Sequence, residues 1–274
     1  MTSDDRLFEI KKIHLFNNLN NFHAIAVALS GGVDSTLLLA AAHHVLGDGA
    51  IAITAKSGTH PSGELEMAVA LARQMNVRHI VIETDELDDP NFVSNGPDRC
   101  YFCKKRFLTA MIGCARQEGV DVLAHGMNLD DMSDYRPGIR AAEELGVVAP
   151  LAQAGFLKSD IRRLARQMEL PNWNRPAMAC LATRVPYGTR IQKEVLSKID
   201  QAEQVVRQLG VGNCRVRDHG NLACIEVDPD EIEILTGGQV RQQIVELLKG
   251  LGYQHVSIDM EGYRSGKLNR DLKD

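Results

Sequence analysis

Two groups of side chains in this sequence have the types and spacings to do chemistry. The first is Ser30-Gly31-Gly32-Val33-Asp34-Ser35-Thr36, directly after the apolar run of residues 24–29. Its two glycines permit a tight turn and close backbone approach, and Asp34, Ser35 and Thr36 fall in the first turn of the helical pattern that follows. Backbone N–H groups exposed at such a turn cradle an anion. Asp34 stands where a Walker A loop has its lysine, so the phosphate clamp of ordinary ATPases is not predicted. A plain glycine-rich turn capped by Asp or Ser is the competing reading, and it leaves the combination of both glycines with the hydroxyl pair unexplained.

The second group is Cys100, Cys103 and Cys180. Cys100 and Cys103 form a C-x-x-C at the start of a predicted helix, where positions i and i+3 share one face and the helix N-terminus favours thiolates. Cys180 follows in an irregular, proline-containing segment. Three thiolates are one short of a closed zinc site, which would need His125 or Cys114 as a fourth ligand. A 4Fe-4S cluster tolerates one open iron and suits three converging cysteines better. An unligated redox pair is the alternative. Cys114, among Leu108, Met111 and Ile112, and Cys214 and Cys224, in predicted strands, read as packing residues.

The elements that must position these groups alternate. After an amphipathic helix at residues 7–19, strands are predicted at 24–29, 50–55, 79–83 and 120–124, separated by helices at 34–46, 63–75 and 101–118. That order implies an α/β fold, a parallel twisted sheet with helices on both faces. Ligands of such sheets sit at the carboxyl ends of the strands, which gathers the glycine loop, Ser57 and His125-Gly126 around one site. A helix at 158–168 precedes Pro171-Asn172-Trp173-Asn174-Arg175-Pro176, whose prolines exclude regular structure. Beyond residue 189 the pattern changes to helix (192–209), strands (214–218 and 222–227), a helix broken at Gly237-Gly238 (232–250) and a strand (253–258). We therefore expect residues 1–189 to form a nucleotide-binding domain and 190–274 a small α+β domain for substrate binding or oligomerisation.

Composition bounds the partners. The 274 residues are 44% apolar and 24% charged, with a formal net charge of −5, which argues against a large nucleic-acid surface. No apolar run approaches a membrane span. Residues 1–12 alternate in charge without an apolar core, so neither a secretory signal nor a transit peptide is read. A cytoplasmic location is the expectation, and six cysteines there are metal, catalytic or core residues rather than disulfides.

The loop of residues 30–36 resembles the S-G-G-x-D-S-T signature of the PP-loop ATP pyrophosphatase superfamily, which implies cleavage of ATP between its α and β phosphates and adenylylation of a substrate. Within that superfamily the chain resembles the LarE-type sulfur transferases of nickel-pincer cofactor biosynthesis. The likeness extends over Asp134-Tyr135-Arg136-Pro137-Gly138, Trp173-Asn174, Cys180 with Arg184-Val185-Pro186-Tyr187-Gly188-Thr189, Arg215-Val216-Arg217, and Gly262-Tyr263-Arg264-Ser265-Gly266.

The resemblance implies that ATP adenylylates a carboxylate of pyridinium-3,5-biscarboxylic acid mononucleotide and that sulfur then displaces AMP to leave a thiocarboxylate. A carboxylate is a poor electrophile, and the acyl-adenylate supplies the leaving group a sulfur nucleophile needs. Cys180 matches the family's sulfur-bearing cysteine. One type of the family sacrifices that sulfur, whereas a three-cysteine type, which this chain resembles, uses a sulfide on a 4Fe-4S cluster; Cys100, Cys103 and Cys180 are then its ligands. ATP or AMP falls to Ser30, Gly31, Gly32, Asp34, Ser35, Thr36, Ser57 and Gly126, with Asp34 acting through Mg²⁺.

Arg215 and Arg217, two apart on a strand, share a face and suit the mononucleotide phosphate in bidentate fashion, the alternative being a solvated strand face. Arg184 is assigned to the substrate carboxylate or ATP phosphates, and Arg264 in the tail to a phosphate. Glu203 resembles a position near the sulfur site, although by spacing alone it reads as an exposed helical glutamate. Tyr135 and Arg136 follow as contacts to nucleotide or a neighbouring subunit. The family implies homo-oligomers, trimers or hexamers. A tRNA sulfurtransferase is the alternative enzyme, and a non-catalytic adenine-nucleotide sensor the alternative of another class.

Overall fold

Strand β1 (Ile25–Ala28) shows in four residues how the first half of the chain folds: Ile25 and Val27 pack into one apolar cluster, while Ala26 joins another on the opposite face. A strand buried on both faces has no polar alternation to show and reads as a continuous apolar run. In this computed structural model, which describes residues 2–133, 137–176, 178–264 and 267, the order of elements is α1 (Ser3–Asn20), β1, α2 (Val33–Leu46), β2 (Ala50–Lys56), α3 (Glu64–Gln74), β3 (Arg78–Glu83), α4 (Pro90–Val93), α5 (Arg99–Gln117) and β4 (Leu123–Ala124). Then come α6 (Pro137–Glu144), α7 (Pro150–Gln153), α8 (Lys158–Gln167), α9 (Lys193–Gln208), β5 (Cys214–His219), β6 (Leu222–Val227), α10 (Ile232–Thr236), α11 (Gly238–Gly250) and β7 (His255–Ile258).

The chain separates into two units: residues 1–57, 62–86 and 100–178 in the first, and 58–61, 87–99 and 179–274 in the second. The first holds an all-parallel sheet in the order β3-β2-β1-β4. Its two clusters lie on either side: α1, α2 and α8 supply one, and α5 with Leu108, Met111 and Ala115 supplies the other. The expected parallel sheet with helices on both faces is thus observed. Because β2 and β3 extend the sheet one way from β1 and β4 the other, the order reverses between β1 and β4, where a crevice opens in folds of this kind. Strand β4 is shorter than expected, and Val148 continues its edge, accepting from the His125 N–H and donating to Leu123.

In the second unit β5 and β6 are antiparallel and β6 and β7 parallel. Helices α9 and α11 cover this sheet through Ala202, Val206, Ile244 and Leu248. The break foreseen at Gly237-Gly238 divides α10 from α11. Among the described residues no helix is long and apolar enough to cross a membrane.

Candidate functional site

The loop between β1 and α2 needs its first glycine. Gly31 has φ +78°, a left-handed conformation, and a Cβ there would lie 3.2 Å from the carbonyl oxygen of Glu64. Gly32 caps α2 without a side chain, so no side-chain oxygen competes for the first-turn N–H groups of that helix. The hydroxyls of Ser35 and Thr36 turn inward to the carbonyl of Gly32, at 3.1 and 2.9 Å, and Ser35 Oγ also accepts from the Ser30 N–H at 3.2 Å. These bonds close the loop on itself.

Gly126, just past β4, comes against that loop so closely that a Cβ would sit 2.7 Å from the Ser35 nitrogen and 2.9 Å from the Asp34 carbonyl carbon. The neighbouring His125 is buried; desolvation, helped by the Lys104 charge, pushes its pKa from 6.5 down to about 3, so the ring is neutral. The segment that follows is an Asx-type turn: Asn128 Oδ1 accepts from Asp130 N–H at 2.9 Å, and its Nδ2 donates to Asp34 Oδ1 at 3.3 Å.

The Asp34 carboxylate meets a cation that sequence reading missed. Lys158, the first residue of α8, places its ammonium on Asp34 Oδ2, while its backbone N–H donates to Asp130 Oδ2 at 2.7 Å. A lysine thus reaches the phosphate loop after all, from a position 124 residues downstream. Asn172 was missed too; its Nδ2 donates to the carbonyl of Gly31 at 2.9 Å and to Thr36 Oγ1 at 3.0 Å. No local motif flags either residue, since each is defined only by what folding sets beside it.

Ser57, just after β2, donates its hydroxyl to Glu86 Oε2; Glu86 is buried and its other oxygen has no hydrogen-bond partner among the described residues. Cys100 lies in the first turn of α5 and Cys103 at the start of the second, the former exposed and the latter half-buried. Cys114 packs against the α5-side cluster, where burial raises its thiol pKa. None of the six cysteines, all among the described residues, is in a disulfide. Among the described residues no group of three or more His, Cys, Asp or Glu is arranged to hold a metal ion.

In the second unit Cys180 precedes a single 3₁₀ turn, residues 181–184. Its carbonyl accepts from Thr183 N–H at 3.0 Å, Thr183 Oγ1 at 2.7 Å and Arg184 Nη1 at 2.9 Å. Arg184 is fully buried: Nη1 also donates to the Ala179 carbonyl at 2.6 Å, and Nε and Nη2 pair with Glu203 Oε1 and Oε2. Glu203 takes two more donors, Arg207 Nη2 at 2.6 Å and the Val216 N–H at 3.1 Å. The reading of Glu203 as an exposed helical residue is therefore corrected. It lies on the inner face of α9, where its charge is balanced by two guanidinium groups.

Arg215 is also buried, donating to the Cys214 carbonyl at 2.8 Å with its guanidinium over the Tyr263 ring; desolvation and then Arg184 lower its pKa. Arg217 donates to the Thr183 carbonyl at 2.6 Å and pairs with Glu226 at 2.7 Å. Neither arginine belongs to a solvated strand face. Cys214 is core, its thiol pushed up to about 12 by burial and then by Glu203, and Cys224 is half-buried in β6. Arg264 is exposed. Asp134, Tyr135 and Arg136, with Ser265 and Gly266, lie outside the described residues.

The chain is similar to known proteins over nearly its whole length. The asparagine synthase family model matches residues 18–95, the segment that holds the glycine loop and β1 to β3. Over 265 residues, covering 96% of this chain and 95% of the relative, the sequence is 35% identical to the pyridinium-3,5-bisthiocarboxylic acid mononucleotide synthase of Lactiplantibacillus plantarum. It is 41% identical over 246 residues to an uncharacterized protein of Synechocystis sp., covering 90% of this chain and 92% of that one. An uncharacterized protein of Methanocaldococcus jannaschii is 33% identical over 264 residues, 94% of this chain and 99% of that one.

Proposed function

The chain belongs to the family of the pyridinium-3,5-bisthiocarboxylic acid mononucleotide synthase and is an ATP-dependent sulfur transferase, and from that premise we propose that it converts a carboxylate of pyridinium-3,5-biscarboxylic acid mononucleotide into a thiocarboxylate. The observation that carries the reading is the near-complete alignment with that synthase, in a chain whose glycine loop is built as an anion cradle.

The substrate carboxylate attacks the α-phosphorus of ATP, pyrophosphate leaves, and the acyl-adenylate then exchanges AMP for sulfur. The first-turn N–H groups of α2 and the Lys158 ammonium offset the phosphate charge, and Asp34, a hard oxygen donor, would be the residue to hold a Mg²⁺ ion that neutralises the phosphates. Ser57 and Gly126 flank the nucleotide. Arg215, Arg217 and Arg264 are assigned to the substrate phosphate, and Arg184, paired with Glu203, holds the backbone of Cys180.

The donor chemistry of Cys100, Cys103 and Cys180, three thiols outside any disulfide, fits a 4Fe-4S cluster with one open iron. Such a cluster supplies a labile sulfide when bound. We further propose ATP handling by residues 1–189, substrate binding and subunit contacts by 190–274, assembly into trimers or hexamers, and a cytoplasmic location.

The test is incubation with ATP, Mg²⁺, sulfide and the biscarboxylate mononucleotide, following pyrophosphate, AMP and the mass change of oxygen-to-sulfur exchange. Stoichiometric pyrophosphate and thiocarboxylate support the reading. ATP binding that never yields pyrophosphate would make the protein a nucleotide sensor, and AMP release dependent on tRNA would make it a tRNA-thiolating enzyme.

A further inference from the structure

Asn172 is 4% exposed, and it is the one side chain of its irregular segment seen to hydrogen-bond with the glycine loop. Both hydrogens of its Nδ2 go there, to the Gly31 carbonyl at 2.9 Å and to Thr36 Oγ1 at 3.0 Å; the Thr36 hydroxyl passes the bond on to the Gly32 carbonyl at 2.9 Å. Its Oδ1 is buried and meets no donor among the described residues. Turning the amide over would set Oδ1 against the Gly31 carbonyl, so its orientation is fixed by the loop.

A buried acceptor without a donor costs stability, and an apolar residue of similar size would avoid that cost. What the asparagine supplies instead is direction. In a trans peptide the carbonyl of one residue and the N–H of the next point opposite ways. With the Gly31 carbonyl held by Asn172 and the Gly32 carbonyl by Thr36, the N–H groups of Gly32 and Val33 are turned the other way; that of Gly32 makes a long contact of 3.4 Å to Ser30 Oγ. Two consecutive glycines rotate their peptides freely, and a rotated peptide would aim a carbonyl oxygen at a phosphate.

We infer that Asn172 is a positioning residue for ATP, locking the two glycine peptides with their N–H groups toward the triphosphate before it binds. The inference rests on the loop being the ATP site. It is tested in the full-length protein by amide exchange of residues 30–36, ATP titration and pyrophosphate kinetics. In the unaltered protein without ATP, the Ser30 and Thr36 amides, bonded within the loop, exchange slowly, and the outward N–H groups of Gly32 and Val33 gain protection when ATP binds; Ser30 and Thr36 amides that slow only with ATP would overturn the inference.

Asn172→Leu lowers the melting temperature by a few degrees at most, accelerates exchange in 30–36 alone, and lowers kcat/KM for ATP by about 10²-fold. Asn172→Asp, of the same shape, loses at least as much because a carboxylate then faces the Gly31 carbonyl. Wild-type ATP kinetics in either variant, or a loss accompanied by faster exchange throughout the protein, would overturn it. Failure of the unaltered protein to bind ATP would instead reject the ATP site itself, and this inference with it.

Discussion

The guanidinium of Arg184 lies alongside the carboxylate of Glu203, with Nε 2.7 Å from Oε1 and Nη2 3.0 Å from Oε2, and neither side chain reaches solvent. Removing one member strands a charge in the interior. Glu203→Ala is expected to cost about 3–5 kcal/mol of unfolding free energy, measured in urea. The double substitution Arg184→Met with Glu203→Leu should recover part of that stability, because the fully buried pair is gone and Arg207, partly exposed, can turn to water, while the Val216 N–H still loses its acceptor. It should still depress sulfur transfer, since the Cys180 carbonyl loses its Arg184 donor.

Gly126→Ala tests the close approach of the β4 loop. A methyl group 2.7 Å from the Ser35 nitrogen meets backbone rather than a movable side chain, so the phosphate loop must shift. A displacement of that size lowers pyrophosphate release by about 10²-fold. A steady-state assay on a variant with unaltered circular dichroism checks it.

Lys158→Met removes the ammonium from Asp34 while keeping the length of the chain. Pyrophosphate release should fall by roughly one to two orders of magnitude, and Lys158→Arg should restore part of it. Equal kinetics in the methionine variant would take Lys158 out of the phosphate site.

His125 makes stability depend on acidity. Its pKa is about 3 in the folded chain against 6.5 unfolded, so between those values the unfolded state binds the extra proton and stability falls as pH falls. The loss from this residue is about 2 kcal/mol by pH 5 and is absent above the unfolded value. His125→Gln should flatten the slope of unfolding free energy against pH across that window.

Anaerobic reconstitution with iron and sulfide should yield a 4Fe-4S absorption band and, after reduction, an EPR signal. Substituting Cys100, Cys103 or Cys180 by alanine should abolish both, and Cys114→Ser, in a residue packed against the core, should preserve both. Sustained turnover by Cys100→Ala would reject a catalytic cluster.

The sheet was legible because β1 and β2 are apolar on both faces and the loop between β1 and α2 carries its own turn chemistry in consecutive residues. Strand β4 was not legible at its true length, because two residues and a bridge from Val148 do the work of a strand. At the site the sequence shows what is contiguous. Lys158, Asn128 and Asn172 escape it because a lysine opening a helix and asparagines in turns look ordinary until the fold brings them to Asp34 and Gly31. The burial of Glu203, named as a candidate by resemblance, was not legible for the opposite reason: a charged residue on an amphipathic helix is ordinarily solvated, and Arg184 and Arg207 make its burial tolerable.

The glycine loop is finished by residues far behind it. A ribosome that has released residues 18–95 has delivered the whole segment matched by the asparagine synthase family, yet the Gly31 carbonyl has no Asn172 to meet and Asp34 no Lys158. Nascent chains therefore emerge with the signature but not the shape that grips nucleotide, and the hand-over from one to the other comes only once residue 172 has been translated.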